Sequence, residues 1–177
     1  MFFYPFSGDQ GAEPPGRFFP AALSQDRRNP PAADERGHAR HNEAIQRLQT
    51  VPGFGPIVGS VFHAFVGNGQ AFRKGRDVSA ALGLVPKQHS SGGKTVLLGI
   101  SKRGDRYLRS LLVHGARSVV RQAARKDDRL SRWINKLRST RGYNKATVAL
   151  ANKMARIGWA ILSRNNVYRA PSAAAAG

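Results

Sequence analysis

There is no cysteine anywhere in the 177 residues. Disulfide staples and thiolate metal sites are therefore excluded, and the absence suits a reducing compartment. Acidic side chains are nearly as scarce: beyond Glu43 the chain has only Asp77, Asp105, Asp127 and Asp128. A metal-dependent nuclease gathers several carboxylates around the scissile phosphate, and these are too few and too scattered to do so. Asp105 stands between Arg103 and Arg106 and reads as their ion-pair partner, while Asp127 and Asp128 read as helix-start residues. His63 has no second ligand at metal spacing and reads as a packed histidine. No apolar run approaches the ~20 residues of a membrane-spanning helix. The first residues are aromatic, lack a cationic start and are interrupted by Pro5, so they do not read as a secretory signal.

What is abundant is positive charge. The formal charge is +19 and the isoelectric point is near 11.6. Such an excess argues against an ordinary metabolic enzyme and for a polyanionic partner, of which nucleic acid is the commonest. With 41% hydrophobic residues the chain can still build one domain of ordinary size.

The organisation reads as all-α. Prolines and unpatterned aromatics mark residues 1–33 as a disordered tail. Residues 34–50 turn helical, with Ala44, Ile45 and Leu48 as a narrow apolar stripe, and read as a linker helix. Val51-Pro-Gly-Phe-Gly-Pro-Ile then looks like a helix-hairpin-helix. Gly53 and Gly55 let the backbone turn and approach a phosphate, and Pro56 suits a first helical position. An ordinary helix–helix turn stays open as the alternative. Ile57, Val58, Val61, Phe62, Phe65 and Val66 give the following helix a thick apolar face. A long basic helix is expected from about Lys102 to Arg125. Two more follow: one carries Leu130, Trp133, Ile134 and Leu137, and the last runs from about Lys145 to Ser163. Residues 169–177 form a second tail. Strand signal is confined to a short extended piece around Thr95 to Leu98.

The chemistry concentrates between Gly83 and Arg109. Ser90 and Ser91 lie beside Gly92, Gly93 and Lys94 in what reads as an irregular loop. Gly93-Lys94-Thr95 invites a nucleotide-triphosphate reading, but that motif needs a glycine at the position of Gln88 and a strand leading in. A serine nucleophile is the better fit: hydroxyl attack conserves a phosphodiester as a phosphoserine link, and cations offset the developing charge. Lys94, Lys102, Arg103, Arg106 and Arg109 could supply them. Ser-Ser-Gly-Gly as a plain linker is the competing reading.

Several of these motifs, in this order, resemble the C-terminal domain of the insertion sequence 110/116/902 type transposases, from about Leu48 to Tyr168. The carrying residues are Val51-Pro-Gly-Phe-Gly-Pro-Ile, Phe72-Arg-Lys-Gly-Arg-Asp, Leu82-Gly-Leu-Val-Pro-Lys-Gln, Ser90-Ser-Gly-Gly-Lys, Ile100-Ser-Lys-Arg-Gly-Asp-Arg-Tyr-Leu-Arg and Ala151-Asn-Lys-Met-Ala-Arg. The resemblance implies a DNA-binding domain over 51–168 that takes part in DNA strand exchange during transposition. It implies Ser91 as the nucleophile; Gly53, Gly55, Lys94, Lys102, Arg103, Arg106 and Arg109 read from their residue types as the DNA contacts. It also implies a bacterial, cytoplasmic and nucleoid-associated setting, homo-oligomers, and guide RNA as a further partner. Members carry an N-terminal ribonuclease-H-like domain with acidic metal ligands. This chain has none, so it reads as a truncated copy, inactive alone, with no cofactor of its own and magnesium expected in the absent domain. Val96-Leu97-Leu98 is apolar where members tend to place a glycine and a basic residue. Two other readings stand beside this one: a non-catalytic basic DNA-binding protein, and a structural or oligomerisation fragment.

Overall fold

The computed structural model describes residues 42–91 and 94–170; for His89 to Ser91, Lys94, Thr95 and Leu97 it describes the backbone alone. The expected tails, apart from residues 169–170, lie outside the described residues, as do 34–41 of the expected linker helix. Within the described residues the fold is mostly helical, as expected. In order the elements are α1 (Glu43–Gln49), α2 (Pro56–Val66), α3 (Gly75–Ala81), β1 (Pro86–Ser91), β2 (Lys94–Ile100), α4 (Arg106–Ala123), α5 (Arg129–Arg141) and α6 (Tyr143–Arg164).

Each helix starts where a side chain or a proline makes a start easy. Asn42 Oδ1 accepts from the Ala44 and Ile45 N–H groups and caps α1. Gly55 is the extended residue before α2, and Pro56 opens it without an N–H to satisfy. The Lys74 N–H donates to Asp77 at the start of α3. Asp105 accepts from Leu108 N–H at α4, and Asp128 accepts from Leu130 and Ser131 N–H at α5. Asp105 is therefore a helix cap rather than the ion-pair partner expected for Arg103 and Arg106. Removing such a cap costs about 1 kcal/mol, more than an exposed ion pair usually returns.

α6 is the hub, packing against every other described helix. Ala146, Ala151, Ala155 and Gly158 keep its surface low, so neighbours approach closely, while Leu150, Met154, Ile161 and Leu162 fill the space between. Phe62 from α2 lies fully buried, edge-on to Phe54 at 5.2 Å. Ile45 and Leu48 of α1 are buried too, and Leu48 belongs to the same core as α2 through α6. Trp159 ties the far end of α6 to the loop after α2 through its indole N–H and the Gly69 carbonyl, at 3.0 Å.

The segment expected as an irregular loop is instead an antiparallel hairpin. Pro86 pairs with Ile100, His89 with Val96, Ser90 with Thr95 and Ser91 with Lys94, with a bulge between Pro86 and Gln88. The strands are joined through residues 92–93, outside the described residues. Its root is fixed by Ser101 N–H donating to Val85 O at 2.8 Å and by Asn152 Nδ2 donating to Leu84 O at 3.0 Å. β1 reads Pro-Lys-Gln-His-Ser-Ser, with no apolar alternation to announce a strand. It forms because β2 supplies the ladder and the core anchors the root of the hairpin.

His63 in α2 is half-buried, and burial, then the positive charge of Arg47, hold its pKa below the ordinary 6.5. The fold thus favours neutral imidazole. That contribution is fully present above pH 6.5 and is lost as pH falls below it and through the lowered folded value. The thermal midpoint should drop over that window, and His63→Gln should flatten the drop. A midpoint equally pH-sensitive in His63→Gln would assign the effect elsewhere. Asp128 acts lower down: its hydrogen bond from Ser131 lowers its pKa below 3.8, so what it contributes is present above pH 3.8 and is lost as pH falls below it and through the lowered folded value.

Candidate nucleic-acid interface

The 18-residue α4 is two-faced. Leu108, Leu112, Ala116, Val120 and Ala123 are buried. On the other side Arg106, Ser110, His114, Arg117 and Arg121 are exposed and recur at four- and three-residue steps, a single stripe along the helix. Arg125 continues it just past the helix end. From Arg106 to Arg121 the stripe runs about 22 Å at 1.5 Å per residue. Lys102 and Arg103, both exposed, extend it at the N-terminal end.

Among the described residues, nothing acidic is paired with this face. Among the described residues the ion pairs join Arg47 to Glu43 and Arg132 to Asp127. The other described carboxylates, at Asp77, Asp105 and Asp128, serve helix starts. Scarcity of acid and its use in capping together leave the arginines uncompensated.

The corner at the start of α4 is built by close backbone crossing. Gly83 and Gly104 have φ of +66° and +99°, and a Cβ on either would collide with backbone, of Arg103 and of Ala81 respectively. Lys102 N–H donates to the Gly83 carbonyl at 3.1 Å, and Lys102 itself is held at φ +57°. That left-handed geometry is uncommon for lysine, and the crossing dictates it. Lys102, Arg103 and Arg106 are presented to solvent there. Arg109 is not: its Nη1 donates to the Leu82 carbonyl at 2.9 Å, stitching α4 to the end of α3.

The two glycines of the α1–α2 turn divide in the same way. Gly53, at φ +90°, faces inward, and a Cβ there would lie 2.8 Å from Met154 Cε and 2.9 Å from the Gly115 carbonyl. Gly55 opens to solvent, with nothing within 4 Å of a Cβ. The first backbone bond of α2 runs from Gly59 N–H to Gly55 O, which leaves the Ile57 and Val58 N–H groups outside the helical ladder.

Ser91 closes β1 opposite Lys94; the side chains of both lie outside the described residues. Five residues of strand separate Ser91 from Pro86 at the root, about 17 Å at 3.3 Å per residue. The hairpin therefore does not bring Ser91 to Lys102, Arg103 and Arg106, which sit beyond its root. Sequence reasoning placed them side by side because they are close in the chain. It also left Arg117 and Arg121 out of the site, although their helical spacing from Arg106 could have included them. No group of three or more His, Cys, Asp or Glu residues that could hold a metal occurs among the described residues. The magnesium that the resemblance implies therefore has no ligand set there.

Turn, hairpin and the start of the cationic helix lie in a segment with relatives. Residues 45–131 match the family described as "Transposase IS116/IS110/IS902 family". The chain belongs to this family. It is 55% identical over 132 residues to a protein of Pseudomonas aeruginosa described as a probable family 20 transposase, covering 75% of this chain and 39% of that protein. It is 51% identical over 131 residues to the transposase for insertion sequence element IS1111A of Coxiella burnetii, covering 74% of this chain and 36% of the other. With the transposase for IS1328 of Yersinia enterocolitica the identity is 41% over 133 residues, 75% of this chain and 40% of that one. The chain thus spans about two-fifths of the length of these relatives. No described helix is long and apolar enough to cross a membrane.

Proposed function

We propose that this chain is the DNA-binding portion of an insertion-sequence transposase, acting in DNA strand exchange. The observation that carries the reading is the uncompensated cationic face from Lys102 to Arg121. A stripe of arginines about 22 Å long can meet successive phosphates of a duplex, releasing counterions as it does so. The open start of α2, with Gly55 and unbonded N–H groups, adds a phosphate contact of the helix-hairpin-helix kind. Ser91 is the nucleophile. Its hydroxyl gives its proton to a base as Oγ attacks phosphorus, a serine–phosphate bond forms, the bond to the leaving strand oxygen breaks, and that oxygen takes a proton. The base and the cations near the tip come from outside the described residues, as does any magnesium. The distance of Ser91 from the basic corner favours one alternative, in which the chain binds DNA and performs no chemistry.

Binding to duplex DNA should be strongly salt-dependent. If roughly six phosphates are neutralised, affinity falls on the order of a thousandfold between 50 and 200 mM salt. Fluorescence anisotropy on a labelled duplex measures this. Salt-independent binding, or none at low salt, would refute the reading.

A further inference from the structure

Between the root of the hairpin and helices α5 and α6 lies an open groove of about 760 Å³. Its floor is apolar, formed by Leu98 and Ile100 of β2, Trp133 of α5 and Val148 of α6. Its rim carries Lys145, Lys153 and Arg156, all exposed, and no lining residue is acidic. Lys153 Nζ stands 4.7 Å above the centre of the Trp133 ring, so a cation is held at the edge of the floor. No residue of α4, which bears the arginine stripe, lines the groove.

An apolar floor inside a cationic rim does not suit a duplex, whose bases are stacked away and whose phosphates face outward. It suits a strand with free base faces. Bases rest on the floor and leave water, while the backbone follows the rim. A predominantly apolar lining with a few charged groups is the ordinary make-up of a binding pocket, and the volume lies in the usual range.

We propose that this groove holds an unpaired stretch of nucleic acid, with bases against Leu98 and Ile100 and phosphates at Lys145, Lys153 and Arg156, the Lys153 ammonium standing over the Trp133 ring. The inference rests on the DNA-binding reading above and deepens it, since strand exchange leaves strands unpaired. It assigns duplex and single strand to different surfaces of one domain.

The test compares a labelled oligothymidylate with a labelled mixed-sequence duplex, on wild type and on Leu98→Asp. Leu98 is 48% exposed, so the substitution leaves the core untouched, and retained duplex binding verifies the fold. Oligothymidylate affinity should fall about tenfold, the scale of losing one base contact, with duplex affinity unchanged. In a Trp159→Phe background, Trp133 is the remaining tryptophan, and its emission should respond to oligothymidylate but not to duplex. Lys153→Ala should weaken oligothymidylate binding in the same selective way. Oligouridylate run in parallel supports the site if it binds with the same Leu98 dependence, and tells which kind of strand is preferred. Oligothymidylate binding indifferent to both variants, or a loss shared equally by duplex, overturns the inference and leaves the DNA-binding reading intact. Tighter binding at the groove by an acidic phenylalanine-rich peptide overturns it in favour of a protein partner. Wild type that binds neither DNA form at low salt overturns both readings.

Discussion

Ser91→Ala should abolish the covalent protein–DNA adduct on a nicked substrate, and Ser90→Ala should leave most of it. The protein to use is a chimera in which this chain replaces the matching portion of the longer Pseudomonas aeruginosa relative. The expectation follows from backbone position. Ser91 is the last residue of β1, paired with Lys94 across the hairpin end, and Gly92-Gly93 follow it. Ser90 is one step further from the tip, and successive residues of a strand face opposite sides. Of the two serines, the resemblance to the family points to Ser91. Removing a nucleophile outright costs on the order of 10⁴-fold or more, so the adduct should vanish rather than diminish. An adduct that survives Ser91→Ala would turn the hairpin into a phosphate-binding element and favour the non-catalytic alternative.

Gly53→Val should destabilise the domain by about 4 kcal/mol, while Gly55→Val should cost far less. Gly53 and Gly115 meet backbone to backbone: a Cβ on Gly53 would crowd the Gly115 carbonyl, and a Cβ on Gly115 would collide with the Gly53 carbonyl. Overpacking of this kind costs about 1–3 kcal/mol. A branched residue at φ +90° adds a further 1–3 kcal/mol or so of backbone strain. The sum, about 4 kcal/mol, is a large share of the 5–15 kcal/mol that typically holds a domain together. Gly55 has an ordinary φ of −91° and open space around it, so valine there should cost only the loss of a favourable N-cap residue, about 1 kcal/mol. Denaturant midpoints by helical circular dichroism separate the two. A Gly53→Val protein as stable as wild type would contradict the packing account. With the fold intact, DNA binding by Gly55→Val then reports on the turn itself: a loss marks approach to phosphate, and normal binding leaves it as a turn alone.

The difference between these glycines shows where sequence reading stops. Both look alike in Val-Pro-Gly-Phe-Gly-Pro-Ile, since each frees the backbone. Only the packing of the turn against α4 and α6 tells which one is enclosed. Helices were legible because their apolar residues recur with helical period and because Pro56 and Asp128 mark two of their starts. β1 was not, because a polar strand carries no pattern of its own and exists only through its partner. Arg109 looked interchangeable with Arg106 three residues earlier, yet that step turns it towards the Leu82 carbonyl. Ser91 and the cations after Ile100 look adjacent in the chain, yet the length of β1, about 17 Å, lies between Ser91 and the root of the hairpin, beyond which those cations sit.

Whether the outer stripe of α4 is the duplex-binding face is tested by the salt slope of duplex binding for Arg117→Ala/Arg121→Ala beside that of wild type. Arg138→Ala/Arg141→Ala, from the exposed last turn of α5, serves as the matched control. Loss of two phosphate contacts should lower the slope of log affinity against log salt by about 2 in the stripe variant and leave it unchanged in the control. Equal slopes in all three proteins, or an equal fall in both variants, would mean that the charge of the whole domain, and not this face, meets the DNA.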